Sequence, residues 1–526
     1  GGGGDAGGSE PPEAQPPQLP KKQLRPVQDK VRFQALKDII LESTFTRMAD
    51  LTHDASAPNL ALRWLTDDDP AQLALDDDAL LQRYALAVLY FSTYDVAVLT
   101  GTSPQTRRLS KGSTRGHRSL EERQVGWVDD EHWMSAKGIC MWSGVYCSAH
   151  LKEGVEVTQY NENSYILKVN LTANNLEGTI PSELRALENL QSLDLGQNEL
   201  SGTIPTVLGS ILHLRELYLE ENQLTGRLPS EIGQMTQMRD LFVGTNVLEG
   251  TIPTELSRLT EMRALALDDN FFNGTVPHLG NLTNLIVVYL DNNWLTGTFP
   301  QETGMLTNVV DFRIRKNNLN GTLPANIGAM TKLELLYIDN NELEGGLPDM
   351  FSNMHRLQEL HVYKNKFEGA FPQSVSQLKK LKVLYADNNR FTGELPVSYA
   401  ELGDLQVFYA SYNNLQGSIP TQYGELRDLV DFEMVNSNLT GKIPSELGLL
   451  YKLETLQIQD NAFVGNVPSE LGRLGRLEYF TLFHNELSGS MPQSICDAKS
   501  DSLAFIAADC NQDDRKIACD CCNACY

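Results

Sequence analysis

The chain has 526 residues, 41% of them hydrophobic, and a formal net charge of −25. That acidity excludes nucleic acid and anionic membrane as main partners, because both attract basic surfaces. No run approaches the roughly 18–20 uninterrupted apolar residues that cross a bilayer, so no span is expected within these residues. The sequence opens on GGGGDAGG, without an initiator Met or a signal peptide. The expectation is a fragment whose targeting segment has been removed or lies upstream, with any anchor upstream as well.

Residues 1–30 are rich in Gly, Pro, Gln and Glu and are expected to be a linker without a core. Residues 31–163 read as an N-terminal cap. Phe33, Leu36, Ile39 and Ile40 recur at helical spacing. Asp76, Asp77 and Asp78 precede ALLQRYALAVLYF, acids placed where a helix start favours them. The apolar run Leu86–Phe91 is too short for a membrane and predicts a buried helix. Residues 101–123 carry Arg107, Arg108, Lys111, Arg115, His117 and Arg118 and predict an exposed basic loop. Arg107-Arg108 also has the form of a dibasic cleavage site.

Residues 164–495 are a repeat. LDLGQNELSGTIP, starting at Leu193, returns as LYLEENQLTGRLP, LYIDNNELEGGLP, FYASYNNLQGSIP and FTLFHNELSGSMP. Its Asn falls at 174, 198, 222, 246, 270, 293, 317, 341, 365, 389, 413, 461 and 485, and Ser437 stands at the missing place. The period is 24, with one 23-residue copy ending at Asn293, and there are fourteen copies. Each carries a Gly, from Gly178 to Gly489, and a Pro, from Pro181 to Pro492.

Each repeated residue has a mechanical role. The L-x-L segment predicts a short strand with two side chains inward and one outward. The Asn turns the chain, and its buried amide can hydrogen-bond the backbone groups the turn leaves unpaired. Stacked copies predict an Asn ladder with a weak rung at Ser437. The Gly permits backbone geometry denied to other residues, and the Pro fixes φ at the next turn. The remaining half-repeat predicts an irregular or short helical return. One copy cannot bury its own apolar face, so stability comes from its neighbours.

Eight Cys stand at the two ends: Cys140 and Cys147, then Cys496, Cys510, Cys519, Cys521, Cys522 and Cys525 in a 496–526 cap. An even, clustered count predicts disulfides in an oxidising compartment. A zinc site at Cys519, Cys521, Cys522 and Cys525 is the rival, weakened by spacing unlike paired C-x2-C and by the lack of a nearby His. The pairing of the last six is open, although strain opposes a bond between Cys521 and Cys522. Caps account structurally for Trp127, Trp133, Trp142 and these cysteines, since terminal repeats otherwise expose apolar faces. No metal or other cofactor is expected.

The repeat L-x-x-L-x-L-x-x-N-x-L-x-G-x-I-P resembles the plant-type leucine-rich repeat, and ICMWSGVYC resembles the C-x-W-x-G-V-x-C end of its N-terminal cap. QRYALAVLYFST and CDCCNAC are similar to segments of secreted or membrane-anchored leucine-rich-repeat proteins of diatoms. The resemblance implies an α/β repeat solenoid, a right-handed superhelix with a parallel sheet on its concave face. It further implies a second short strand near x-G-x-I-P, a Cys140–Cys147 disulfide and an extracellular recognition role. The sequence lacks the V-A-I-K, H-R-D and D-F-G set of plant receptor kinases.

The outward residue of each L-x-L lines the concave face. In order these are Asn170, Asp194, Tyr218, Phe242, Ala266, Tyr289, Arg313, Tyr337, His361, Tyr385, Tyr409, Glu433, Gln457 and Thr481. Six of the nine from 218 to 409 are aromatic in a chain that is 8% aromatic, and His361 adds a ring. Such a stripe is a platform for peptide or sugar. Alternatively, Tyr and Phe are simply good strand formers that pack across strands. Arg313 and Arg315 share one strand face and suit a carboxylate or phosphate. They are similar to the R-x-R pair with which some plant leucine-rich-repeat receptors grip the free C-terminus of a peptide hormone. Neutralisation by Asp291, Asp311 and Asp339 is the competing reading. Asp268, Asp291, Asp339 and Asp387 form a row that reads as solvated charge in preference to a Ca²⁺ site, because Arg315 interrupts it. Sequons at Asn170, Asn273, Asn281, Asn320 and Asn438 are candidate glycosylation sites.

No G-x-S-x-G, H-E-x-x-H, P-loop or EF-hand motif occurs, so catalysis is not expected. The expected function is extracellular recognition of a secreted peptide or protein, with a co-receptor as a further partner. A carbohydrate or cell-wall binder, or an adhesive assembly protein, is the alternative.

Overall fold

The structure, a computed structural model, describes residues 28–43, 46–75, 77, 79–94, 127–135, 139–148, 165–498, 504–510 and 516–526. The first 27 residues, the loop 101–123 and Arg107-Arg108 lie outside these. Two compact units divide the chain. One is residues 1–166 with 173–187 and 198–201, and the other is 167–172, 188–197 and 202–526.

In the first unit, helices span Lys30–Glu42, Met48–Thr52, Ala57–Arg63 and Ala79–Thr93. The last is the apolar run read from sequence. Asp77 Oδ1 accepts from Ala79 N at 2.8 Å and caps its start. Leu86 to Leu89 are wholly buried. Arg83, on the same helix, is 1% exposed. It donates from Nε and Nη2 to the buried Asp69 carboxylate at 2.9 and 2.6 Å, and lies 4.9 Å from both the Trp64 and Trp142 rings. Two charges leave water here only because each meets the other in a bidentate fork. Cys140 bonds Cys147, the pairing the family resemblance implies.

In the second unit, fourteen three-residue rungs stack as one parallel sheet, from 168–170 and 192–194 through 311–313 and 335–337 to 479–481. The terminal cap continues it, pairing 505–507 with 479–481 and 524–525 with 507–508. Three disulfides hold this cap: Cys496–Cys521, Cys510–Cys525 and Cys519–Cys522. The cysteines are thus spent on covalent bonds, not on zinc.

The Asn ladder forms. Asn317 Nδ2 donates to the carbonyls of Leu290, Ile314 and Arg315 at 2.9–3.3 Å, and its Oδ1 accepts from Leu295 N at 3.0 Å. Ser437 is the weak rung. Its Oγ reaches only Ala410 O and Val435 O, at 2.9 and 3.0 Å. The second row of short strands falters beside it. Strands at 390–391 and 440–441 flank a single bridge, Glu394 to Gln416.

Each Asn follows a residue at φ near +50°, among them Gln197, Thr245, Lys316 and Tyr412 at 52–55°. Left-handed backbone at non-Gly residues is costly. The ladder offsets that cost by pairing the flanking amides: Asn292 and Asn293 donate to the carbonyls of Arg315 and Lys316.

Most returns are five-residue 3₁₀ turns such as Ser230–Gln234 and Thr421–Glu425, with a three-residue turn at Phe351–Asn353 and a short α-helix at Gln493–Ala498. The 23-residue copy lacks one after Pro277, where the missing residue leaves too short a segment to wind it. Successive turns stack closely. A Cβ at Gly233 would lie 2.5 Å from Glu255 Cβ and 2.6 Å from Glu255 O. Gly233→Ala is expected to destabilise by about 1–3 kcal/mol, seen as a lower urea midpoint. Gly403→Ala, whose Cβ position is open, should leave the midpoint in place.

Candidate functional site: the outer face of the sheet

Alternation along each three-residue rung turns its middle side chain inward and its first and third outward, and the in-register pairing aligns the third residues in a row. Tyr218, Phe242, Ala266, Tyr289, Arg313, Tyr337, His361, Tyr385 and Tyr409 occupy successive rungs of that row.

The structure brings most of them into one stack. The Arg313 guanidinium lies between two rings, 4.5 Å from Tyr289 and 5.0 Å from Tyr337. Tyr337 stacks on His361 at 4.0 Å and 12°. His361 meets Tyr385 at 4.6 Å, and Tyr385 meets Tyr409 at 4.9 Å. Six planar groups on six rungs therefore form an unbroken column. Tyr218 and Phe242 form a separate pair at 5.2 Å, because Ala266 supplies no ring to bridge the gap.

A second row, two residues earlier on each strand, holds the hydroxyls. Tyr289 donates to Asp311 Oδ2 at 2.8 Å and Tyr337 to Glu359 Oε2 at 2.5 Å. Sequence reasoning missed this supporting row. Its signal was an acid at i−2 on the neighbouring rung, as at Asp240, Asp311 and Glu359. Tyr363 was missed too. Its ring stands edge-on to Tyr385 at 6.0 Å, and its place two residues after His361 puts it on the same face.

The two arginines differ. Arg313 is engaged, its Nε and Nη2 forking onto Asp311 at 2.9 and 2.6 Å. This is the neutralisation foreseen as an alternative. Arg315 is less committed. Its Nε is 3.4 Å from Asp291 Oδ2, and its side chain makes no hydrogen bond among the described residues. Its Cζ lies 5.6 Å from the Tyr337 ring. Arg315 thus offers an open guanidinium edge beside the column.

The Asp row divides, with Asp268 and Asp387 half-buried and the two acids between them withdrawn from water. Asp339 is 0% exposed and Asp291 8%. Asp291 serves the next rung's backbone, its Oδ1 accepting from Arg315 N at 2.9 Å, whereas Asp339 and Asp387 accept from the adjacent Asn340 and Asn388 side-chain amides at 2.7 and 2.6 Å. Burial pushes the Asp291 carboxyl up to about 7 against the pull of Arg315. Burial likewise raises Asp268, Asp339 and Asp387, and takes Glu433 to about 7. Burial, then Arg315 and Arg313, drives His361 down to about 3, so the column's imidazole is neutral. No cluster of three or more metal-ligating acids, Cys or His occurs among the described residues.

The sequons take different places. Asn170 is on the sheet row beside Asp194, its Oδ1 accepting from Thr172 N at 3.2 Å. Asn273 and Asn320 are exposed on the short second strands, and Asn281 is exposed on a return. Asn438 Nδ2 donates to Asn414 Oδ1 at 2.5 Å. An open groove of about 870 Å³ beside Asn438, lined by Arg390, Tyr412 and Asn436, contains none of the column residues. The candidate site is a face, not a pocket.

The Leucine rich repeat family model matches residues 166–224 and 331–391. No curated protein sequence matches the chain. Among solved structures, the chain is similar to the plant peptide hormone receptor RGFR1, solved in complex with RGF2. They share 32% identity and a TM-score of 0.62, over 64% of this chain and 55% of that one. The ectodomain of the Arabidopsis thaliana receptor kinase GASSHO1/SCHENGEN3, in complex with CASPARIAN STRIP INTEGRITY FACTOR 2, is 28% identical with a TM-score of 0.50, over 66% and 50%. The LRR protein LIC12759 of Leptospira interrogans is 27% identical with a TM-score of 0.53, over 65% and 84%. This chain spans about half the length of the two plant receptors. No helix among the described residues is long and apolar enough to cross a membrane. The repeat, the ladder, the parallel sheet and these likenesses agree: the chain folds as a leucine-rich-repeat solenoid, similar in plan to plant receptor ectodomains.

Proposed function

We propose that this chain is an extracellular recognition module that binds a secreted peptide or protein on the outer face of its sheet. The observation that carries the reading is the column from Tyr289 to Tyr409 with the open edge of Arg315 beside it. Rigid rings present contact area at small entropic cost, and their hydroxyls are already held by Asp311 and Glu359. Arg315 supplies an anion contact, while Arg313 stiffens the column from within. Four disulfides fit an oxidising, extracellular setting. Two similar plant receptors were solved with RGF2 and with CASPARIAN STRIP INTEGRITY FACTOR 2, which supports a peptide over other ligand classes.

The test is to isolate the ligand from secreted peptides retained by the intact, disulfide-bonded protein, then map hydrogen exchange with and without it. Protection across rungs 287–289 to 407–409 is expected. Protection confined to the returns or the second strands would overturn the assignment.

The site also has a pH signature. Asp291, with its carboxyl pushed up to about 7, competes for Arg315 when ionised. Below that value it is protonated, and Arg315 is free for a ligand carboxylate. Affinity is therefore expected to rise as pH falls from 8 to about 5.5, because the ligand's α-carboxyl stays ionised to about 3.5. Asp291→Asn should flatten this profile in titration calorimetry. The linkage for stability has the same sign. A carboxyl raised by folding contributes stability below its unfolded value, and that contribution is lost as pH rises through about 7.

A further inference from the structure

The largest exposed aromatic surface of the second strands surrounds one sequon. Phe271 and Trp294 are 39% and 57% exposed, with ring centroids 5.0 Å apart. Elsewhere in this strand position the chain places mostly polar residues, such as Gln223, Asn318, Glu342, Lys366 and Arg390, with Val247 and Ala462 the apolar exceptions. Exposed rings clustered against that polar background mark a surface meant to be covered.

Asn273 stands beside this ring pair. It is two residues after Phe271 on the strand Phe271–Thr275, so the two side chains share the outward face. Across the ladder its register partner is Trp294. Its side chain is exposed and makes no hydrogen bond among the described residues. Gly274, at φ +75°, turns the backbone just past it and presents the sequon Asn273-Gly274-Thr275. The other sequons lack this setting. Asn320 follows Asn318 and pairs with Glu342, and Asn438 gives its amide to Asn414.

We propose that Asn273 is an N-glycosylation site whose first sugar packs on the Phe271–Trp294 ring pair. Asn273 Nδ2 forms a bond to C1 of the reducing-end sugar of a lipid-diphosphate-linked oligosaccharide. The C1–O bond to the diphosphate breaks, the lipid diphosphate leaves with the electron pair, and the amide loses one proton to solvent. The C–H face of that sugar then covers the rings, as apolar sugar faces cover aromatic ones. The inference needs passage through a secretory compartment and is independent of the peptide reading.

Tryptophan fluorescence tests it without ambiguity of source. The chain has five Trp, and Trp64, Trp127, Trp133 and Trp142 are each 5% exposed or less. Iodide quenching therefore reports Trp294. The full chain, secreted from a glycosylating eukaryotic host, is compared with Asn273→Gln and with Thr275→Ala, which removes the sequon but keeps the Asn. Glycopeptide mass spectrometry should show Asn273 occupied. Quenching should be about twofold weaker in the occupied protein, since a sugar covers one face of the ring. It should stay weak after an endoglycosidase trims the glycan to one sugar, and Asn320→Gln should not change it. An unoccupied Asn273 beside occupied sequons would overturn the site. Complete lack of occupancy would overturn the secretory premise with it. Occupancy with unchanged quenching, or quenching restored by trimming, would overturn the packing.

Discussion

Asn317→Ala is expected to destabilise the protein by about 3 kcal/mol or more, because it strips partners from buried backbone groups with no water to replace them. Leu295 N loses its acceptor, and the carbonyls of Leu290, Ile314 and Arg315 lose a donor. Lys316, at φ +53°, keeps its backbone bond to Asp339 O but loses the side-chain brace on the preceding Arg315 carbonyl. Asn317→Ser should cost less, since Ser437 shows a hydroxyl within reach of two of these carbonyls, to share its one proton between them. The reverse change, Ser437→Asn, should stabilise by about 1 kcal/mol. Repeats communicate with their neighbours alone, so faster hydrogen exchange should centre on rungs 287–289 to 335–337. Equal stability of the Asn, Ser and Ala variants would show that the ladder is incidental to the fold.

Tyr337→Ala is expected to weaken binding of an identified peptide about 100-fold, the range of a central interface anchor. Tyr337 joins the arginines to the ring stack. It flanks Arg313, lies near Arg315 and stacks on His361. Its removal leaves Arg313 with one ring and exposes His361, so the platform loses its order as well as its area. Tyr337→Phe keeps the ring and loses only the bond to Glu359, and should retain most of the affinity. Tyr218→Ala, in the detached pair beyond Ala266, should have little effect. Equal losses at Tyr218 and Tyr337 would show that the column is not the unit of recognition.

How much of this was legible follows from what each feature depends on. The rungs, the ladder and the weak place at Ser437 rest on identity repeated every 24 residues, so periodicity alone exposes them. The stripe was legible because register follows from the period. The stack within it was not, because it needs the distances between rungs. Nor was the division of labour between Arg313 and Arg315: both flank the same Ile314, and only geometry shows Asp311 forking onto one. The burial of Asp291 and Asp339 depends on neighbouring rungs, which a strand read singly cannot show. The left-handed residue before each Asn carries only a partial compositional mark: Asp269, Asn292, Asn340, Asn388 and Asp460 suit that backbone, but Thr245 and Tyr412 also occupy it, because the ladder imposes the geometry whatever the side chain. The Arg83–Asp69 pair joins residues from separate elements, and no spacing rule links them.

The claim that this face reads a peptide through Arg315 is tested most directly by titrating one identified ligand in two forms, with a free C-terminal carboxylate and with a C-terminal amide, against the native protein and Arg315→Ala. The account predicts that amidation and Arg315→Ala each weaken binding about 100-fold, and that together they cost little more than either alone, the coupling of a charge pair at an interface. Binding indifferent to both changes, or losses that simply multiply, would contradict it.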